Sequence, residues 1–342
     1  MGEESAVREW LPRTVALLVG TLILASAFIA AYVGALHAPT PRDIPVGVVR
    51  GDQPAQALLV AIRQRTTSVK AITYADPAAA EAALDGRDVY ATLTSAGDGA
   101  LALTLASASA PAATEVVRQV VTTAGQQAEV PVQVTDRVPV SPDDPRGLVP
   151  FYLAIGFVLG GYLASTVLGV SLGTAPRGLR GAGLRIAALA VHAVLLGIVG
   201  AVLVGPVLGV WPDHVPTIAA VGALAAFAAA MVAAAVQGWL GLFGTGLVIL
   251  LLVVLGNPGS GGVYAPEFLP SVLRGMHRWN VPGLATDLIK SAVYFDGRAA
   301  RWPGVGLAIW VAAGIVGLIT AALVRGRRDT APAGRHRTPD QR

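Results

Sequence analysis

Three carboxylates, Glu267, Asp287 and Asp296, and five histidines, His37, His192, His214, His277 and His336, are the groups from which acid–base or metal chemistry would have to be built. The histidines show no metal-ligand spacing, and the chain has no cysteine, so thiolate chemistry is unavailable. The carboxylates have a plainer reading as the solvated face of a helix, and no Ser/His/Asp set converges on one expected surface. The phosphate-loop pattern G-x-x-x-x-G-K-[ST] is absent, and Gly259-Ser260-Gly261-Gly262 has no following lysine. The expectation is no enzyme, no cofactor and no metal.

The carboxylates sit in 257–303, a stretch too polar to cross a bilayer and flanked by apolar runs of hydrocarbon length. From Pro266 to Trp279, Phe268, Leu269, Val272, Leu273, Met276 and Trp279 fall at helical spacing. Glu267, Ser271, Arg274 and Arg278 hold the other face. Asn280 offers an N-cap just before Pro282, and a second helix would carry Leu284, Leu288, Ala292 and Phe295 on one side. This pattern predicts two short amphipathic helices lying at a membrane surface; an ordinary interfacial loop is the alternative.

Composition fixes the class around that stretch. The chain has 342 residues, 54% hydrophobic and 13% charged, where a soluble protein carries about 25% charged. An integral membrane protein, in contact with membrane lipid, is expected. The net charge of +4 is concentrated next to apolar runs, so topology explains it better than nucleic acid, which is not expected as a partner.

Six uncharged or nearly uncharged runs are candidate spans: Thr14–Leu36, Leu148–Leu172, Leu184–Val210, Val215–Gly238, Leu240–Gly256 and Gly304–Val324. The first is too long for the core of a signal peptide and has no clean A-x-A before Pro39. Residues 37–147 differ in kind. Ile44–Val49, Val69–Tyr74, Val89–Thr94, Ala100–Leu105 and Val130–Thr135 read as strands; Pro54–Arg65, Pro77–Leu84 and Ala112–Gln127 read as helices. Gly97-Asp98-Gly99 would turn a hairpin. The expected fold class is a polytopic α-helical membrane protein: six transmembrane helices with a small α/β extracytoplasmic domain between the first and second.

Six spans place both termini on one side. Arg8 and Arg13, then Arg177, Arg180 and Arg185 at the connection of the second and third spans, then Arg325, Arg327, Arg328, Arg335 and Arg337 all fall there. That side is expected to be cytoplasmic, in a bacterial cell membrane, with 1–13 and the basic, disordered tail 325–342 inside. His192 is the one ionisable residue near a span centre and is expected as a neutral hydrogen-bonding residue between helices. Without carboxylates along a path, ion coupling is disfavoured. Gly156-x-x-x-Gly160, Gly169-x-x-x-Gly173 and Gly205-x-x-x-Gly209 read as close helix contacts, and Pro206 as a kink or end.

The order of these parts resembles the ABC-2-type permease superfamily, and its YhgE/Pip (phage infection protein) branch in particular. The residues carrying the resemblance are Pro45-Val-Gly-Val-Val-Arg-Gly-Asp52, Gly86-Arg-Asp-Val-Tyr-Ala-Thr-Leu93, and Gly256-Asn-Pro-Gly-Ser-Gly-Gly262 with Pro266, Leu269-Pro270, Pro282-Gly283 and Tyr294-Phe295-Asp-Gly297. The resemblance implies a homodimeric permease subunit exporting a hydrophobic or lipid-like substrate with a separate ATP-binding subunit. It implies that the helices Leu269–Trp279 and Leu284–Phe295 cap the outer end of the path, with Glu267, Arg274, Asp287 and Tyr294 as the cap residues. Arg177, Arg180 and Trp239 would form the cytoplasmic contact. Two departures, a shorter ectodomain and a glycine-rich connection 173–183, keep a second reading open. In that reading the protein is a non-transporting envelope protein whose ectodomain binds a partner or scaffolds a surface complex.

Overall fold

The structure is a computed structural model that describes the backbone of residues 2–328 and the side chains within that range except those of 2–10, 13, 242 and 326–328. The basic residues Arg8, Arg13, Arg327, Arg328, Arg335 and Arg337, and the tail beyond residue 328, lie outside the described side chains. Helix α1 (Gly2–Leu36) does not begin at Thr14 but runs back through Pro12 as one element. Its apolar part, Thr14–Leu36, is 23 residues long, about 35 Å at 1.5 Å per residue. Its end, at Ala35 and Leu36, packs with Leu269 and Leu273, and the helix also packs on residues 250–260. There Asn257 Nδ2 donates to the Tyr32 hydroxyl at 3.0 Å.

The α/β domain runs β1 (Ile44–Val49), α2 (Gln53–Arg65), β2 (Val69–Tyr74), α3 (Pro77–Asp85), β3 (Ala91–Ser95), β4 (Leu101–Leu105), α4 (Pro111–Gln127) and β5 (Val132–Asp136). Its sheet has the order β2-β1-β3-β4-β5. Every neighbouring pair is parallel except β3–β4. Parallel pairing requires crossovers, which α2, α3 and α4 supply; the antiparallel pair needs only the turn at Gly97-Asp98-Gly99, where all three residues have positive φ. Asp52 accepts from the Ala55 amide at 3.2 Å, capping α2, and its two oxygens also take the Ser95 hydroxyl at 2.6 Å and amide at 2.7 Å. One carboxylate thus starts a helix and ties the ends of β1 and β3 together. Ile44, Val46, Leu93 and Leu103 from the sheet meet Leu59, Val117 and Val121 from the helices in the domain's core.

The remaining chain forms α5 (Val149–Leu172), α6 (Gly178–Val202), α7 (Val215–Leu240), α8 (Leu242–Ile249), α9 (Ser271–His277), α10 (Val281–Tyr294) and α11 (Arg301–Arg328). Helix α7 is central, flanked by α5, α6 and α11. Its alanines (Ala225, Ala226, Ala229, Ala230, Ala233) are fully buried. A Cβ at Gly161 of α5 would overlap the Ala226 carbonyl, and one at Gly197 of α6 the Ala219 carbonyl. Small residues on both sides let these backbones approach, which is how helices associate where lipid removes the hydrophobic drive. Of the expected Gly156/Gly160 pair, only Gly160 meets a neighbour, Leu196.

Among the described residues, five helices are long and apolar enough to cross a membrane, against the six expected. The segment read as a span over Leu240–Gly256 is instead the short α8 continued by a π-helical turn at Leu250–Leu255. Its apolar helix, Phe243–Leu255, covers about 20 Å, short of a hydrocarbon core of about 30 Å. Helix α6 starts at Gly178, so most of the expected connection 173–183 is helical. Arg185 is therefore not in a loop. It is buried in α6 and donates to the Thr174 carbonyl at 2.8 Å and the Gly173 carbonyl at 2.5 Å, covering the end of α5. His192, expected between helices, is exposed on the outer side of α6. Pro206 ends regular α6 inside a π-helical turn, Leu203–Val207.

Candidate functional site: a charged cavity between the α/β domain and the bundle

Helix α10 organises the site. Asn280 caps it, accepting from the Gly283 amide at 2.6 Å while its amide nitrogen donates to the Gly259 carbonyl at 3.0 Å. Pro282 occupies the first turn, where a missing N–H costs nothing. Leu284, Leu288 and Ile289 pack into the bundle with residues of α5 and α7. The opposite face, with Asp287, Lys290 and Ser291, was expected in water. It is covered as well, with Lys290 and Ser291 buried and Asp287 half-buried, because the α/β domain lies over it. The expectation of an interfacial helix is corrected on this point. The first expected helix, 266–279, is also shorter. Leu269 is extended because Pro270 follows, so a 3-10 turn at Pro266–Phe268 is separated from α9.

The covering contacts come from two short segments of the α/β domain. Arg87 stands just past the end of α3 with φ of 62°, a left-handed conformation unusual for a long side chain. That backbone aims its guanidinium at α10. Nη2 meets Asp287 Oδ1 at 2.7 Å, Nη1 donates to the Asp287 carbonyl at 3.1 Å, and Nε donates to Ser109 Oγ at 3.3 Å. The second Asp287 oxygen takes His277 Nε2 at 3.0 Å. Lys290 Nζ donates to the Ser109 carbonyl at 3.0 Å. Tyr90 donates to Glu267 Oε2 at 2.8 Å, and Arg274 donates to the carbonyls of Pro266 at 2.9 Å and Glu267 at 2.7 Å. Apolar contacts accompany the polar ones: Phe295 packs with Leu84 and Val89, and Phe268 joins the core of the sheet.

Between these groups lies a cavity of about 710 Å³. Residues 86–90 and 109–110 form its roof, α9 and α10 its walls, and Trp279 and Trp302 stand on its rim. The two indoles meet edge to face with centroids 5.1 Å apart. Trp302 Nε1 donates to the Arg278 carbonyl at 3.2 Å and Trp310 Nε1 to the Trp279 carbonyl at 2.7 Å.

The electrostatics follow from burial and pairing. Burial pushes the Asp287 carboxyl up, but Arg87, and after it His277 and Lys290, outweigh burial and hold it well below the usual carboxylate range. Burial, then the neighbouring Arg87, brings the Lys290 ammonium down to about 8 against the pull of Asp287 and Asp144. Burial raises Glu267 despite the Tyr90 hydrogen bond, and raises Tyr90 further, with Glu267 adding to it. These groups can bind a charged partner and latch two bodies together.

Of the residues singled out in the sequence, Glu267, Arg274 and Asp287 line this cavity. Tyr294 does not. Its hydroxyl meets Asp144 Oδ2 at 3.3 Å and its ring lies edge-on to Trp211. Asp144 in turn accepts from the amides of Leu148 at 2.9 Å and Val149 at 3.1 Å, so Tyr294 braces the start of α5. At the far end of the bundle Arg177 and Arg180 are exposed on the start of α6. Trp239 donates to the Gly317 carbonyl at 3.0 Å, and its own carbonyl accepts from Arg325 at 2.7 Å. Arg87, Tyr90, His277 and Lys290 were not assigned to a site. For Lys290 a signal existed: it lies one turn from Asp287 on the same face of α10. For Arg87 none did, since its place depends on the docking of two bodies distant in sequence. Comparison with family models, curated proteins and solved structures gave no match to this chain.

Proposed function

We propose that this chain is the membrane subunit of an exporter of ABC-2 permease type, acting with a separate ATP-binding subunit on a hydrophobic or lipid-like substrate. The observation that carries the reading is the cavity itself: a charged, partly open space at the end of a helical bundle, roofed by a separate domain through ion pairs. In this reading α8 with its π-helical turn makes a sixth, shortened crossing, the α/β domain is extracytoplasmic, and both termini are cytoplasmic. The cavity is the outer vestibule, with Glu267, Arg274 and Asp287 as its cap. Arg177, Arg180 and Trp239 face the ATP-binding subunit. Helix α1, whose apolar faces are exposed (Leu18, Leu22, Ile23 and Ile29), packs against a second copy in a homodimer.

Extraction of the tagged full chain in mild detergent, with identification of what comes with it, tests this. The reading expects a stoichiometric cytoplasmic ATP-binding protein. Recovery of envelope partners alone, in a preparation that keeps other ATPase complexes intact, overturns it.

A further inference from the structure

Cationic groups at the cavity remain without acidic partners once the latch is formed. Asp287 is consumed by Arg87 and His277, and Glu267 by the Tyr90 hydroxyl. Arg274 is held by two backbone carbonyls, which use two of its five N–H groups and fix its plane. Arg278, one helical turn on, has an exposed side chain. Neither arginine makes an ion pair among the described residues, and an oriented guanidinium with free N–H groups is suited to bidentate binding of a phosphate or carboxylate.

The position of the rim says where that anion comes from. Trp302 lies in the first turn of α11, a membrane-crossing helix by length and composition. Trp310, eight residues further along the same helix and so about 12 Å deeper, donates to the Trp279 carbonyl. Trp279 and Trp302 are half-exposed, and tryptophans so placed mark the head-group level of a bilayer. Val272, exposed on the same short helix α9, adds an apolar contact beside them. The free arginines therefore stand at the depth of lipid head groups, beside an apolar aromatic edge.

We infer that the cavity takes the anionic head group of a membrane amphiphile, with Arg274 and Arg278 holding its phosphate or carboxylate and the Trp279–Trp302 pair contacting its chain. This names the substrate class of the vestibule and rests on the functional reading above only for the direction in which the ligand moves. Binding itself requires no ATP-binding subunit.

The test uses the purified full chain in nanodiscs, with tryptophan fluorescence quenched by lipids brominated in the acyl chain. Brominated phosphatidylglycerol and brominated phosphatidylcholine are compared as minor components of an otherwise unlabelled bilayer. The unchanged protein is expected to show stronger quenching by phosphatidylglycerol. The excess disappears in Trp279→Phe/Trp302→Phe, which places it at the rim. Arg274→Gln/Arg278→Gln is expected to lower the preference about tenfold or more, the loss of at least one charge-assisted hydrogen bond. Arg278→Gln alone, in an exposed side chain, keeps the test valid should the double variant fold poorly, and is expected to lower the preference in part. Equal quenching by the two lipids overturns the inference. So does protection by inorganic phosphate without any phosphatidylglycerol excess, which makes the cavity a free-anion site. A phosphatidylglycerol preference with no associated ATPase leaves the site standing and removes the export reading.

Discussion

Arg87 of the α/β domain grips Asp287 of α10 twice, through the carboxylate at 2.7 Å and the backbone carbonyl at 3.1 Å. Their side chains are 12% and 25% exposed, so the pair is neither fully desolvated nor washed out by solvent. Removing Arg87 leaves the half-buried Asp287 with His277 alone, and removing the Asp287 carboxylate leaves the Arg87 guanidinium with neutral acceptors only. Arg87→Ala or Asp287→Ala is expected to loosen the domain from the bundle by ~2–4 kcal/mol, toward the lower end for the remaining exposure. Faster proteolysis in the linker 137–148, with the α/β domain released intact, is the readout. A double-mutant cycle should return a coupling above that of an exposed pair; coupling near zero would mean the contact is incidental.

Asp287 and Lys290 give the stability a defined pH dependence. Asp287 has its pKa depressed by folding, so its contribution is full above the unfolded value of about 3.9 and is lost as pH falls below it. Lys290 acts at the other end. Its folded pKa is about 8, below the unfolded value of about 10.4, so between these the unfolded chain binds more protons and stability rises with pH. Melting of the solubilised protein followed from pH 7 to 10 should show this rise in the native chain and lose it in Lys290→Met. A native profile identical to that of the variant would mean the ammonium is not buried.

The start of α10 depends on Asn280 and on the absence of a side chain at 283. Asn280→Ala removes the cap and the bond to the Gly259 carbonyl, and is expected to cost ~1–2 kcal/mol. Gly283→Ala should cost more. Its Cβ would stand 2.5 Å from the His277 carbonyl and 2.9 Å from Asn280 Oδ1. Hydrogen exchange at the amides of residues 281–287 separates the two, with local fraying expected for the first and global loosening for the second.

Arg185 anchors the opposite end of the bundle. Its buried guanidinium serves the carbonyls of Gly173 and Thr174, so Arg185→Leu removes the charged donor that holds the end of α5 against α6. A loss of ~2–4 kcal/mol is expected, read as a lower melting temperature in detergent. Arg177→Leu, on an exposed residue, should change it little.

The long apolar helices and the alternation of strands with helices in 37–147 were legible because each rests on local rules: uncharged length, period-two alternation, and turn residues such as Gly97-Asp98-Gly99. Asn280 before Pro282 was legible for the same reason. What could not be read is where bodies dock. An amphipathic helix exposes its polar face either to water or to a polar partner, and Asp287 with Lys290 looks the same in both cases. Arg185 was read as a loop residue because glycines suggested a break, yet α6 is helical from Gly178 and the Arg185 side chain folds back onto the end of α5. Leu240–Gly256 has the composition of a span, and only the sharp turn at Gly241, with φ of 64°, shows that its helical part is short.

In the proposed export cycle the roof over the cavity opens to release substrate, and the absence of native cysteine makes this directly measurable. Asp85 and Arg298, which meet at 2.6 Å across the junction of the α/β domain and the segment after α10, can be replaced by cysteines and joined with a short reducible thiol cross-linker. ATP hydrolysis and export by the complex reconstituted with the proposed ATP-binding subunit are then measured before cross-linking, after it, and after reduction. The cross-link is expected to stop turnover, and reduction to restore it. Undiminished turnover with the junction locked would contradict that opening.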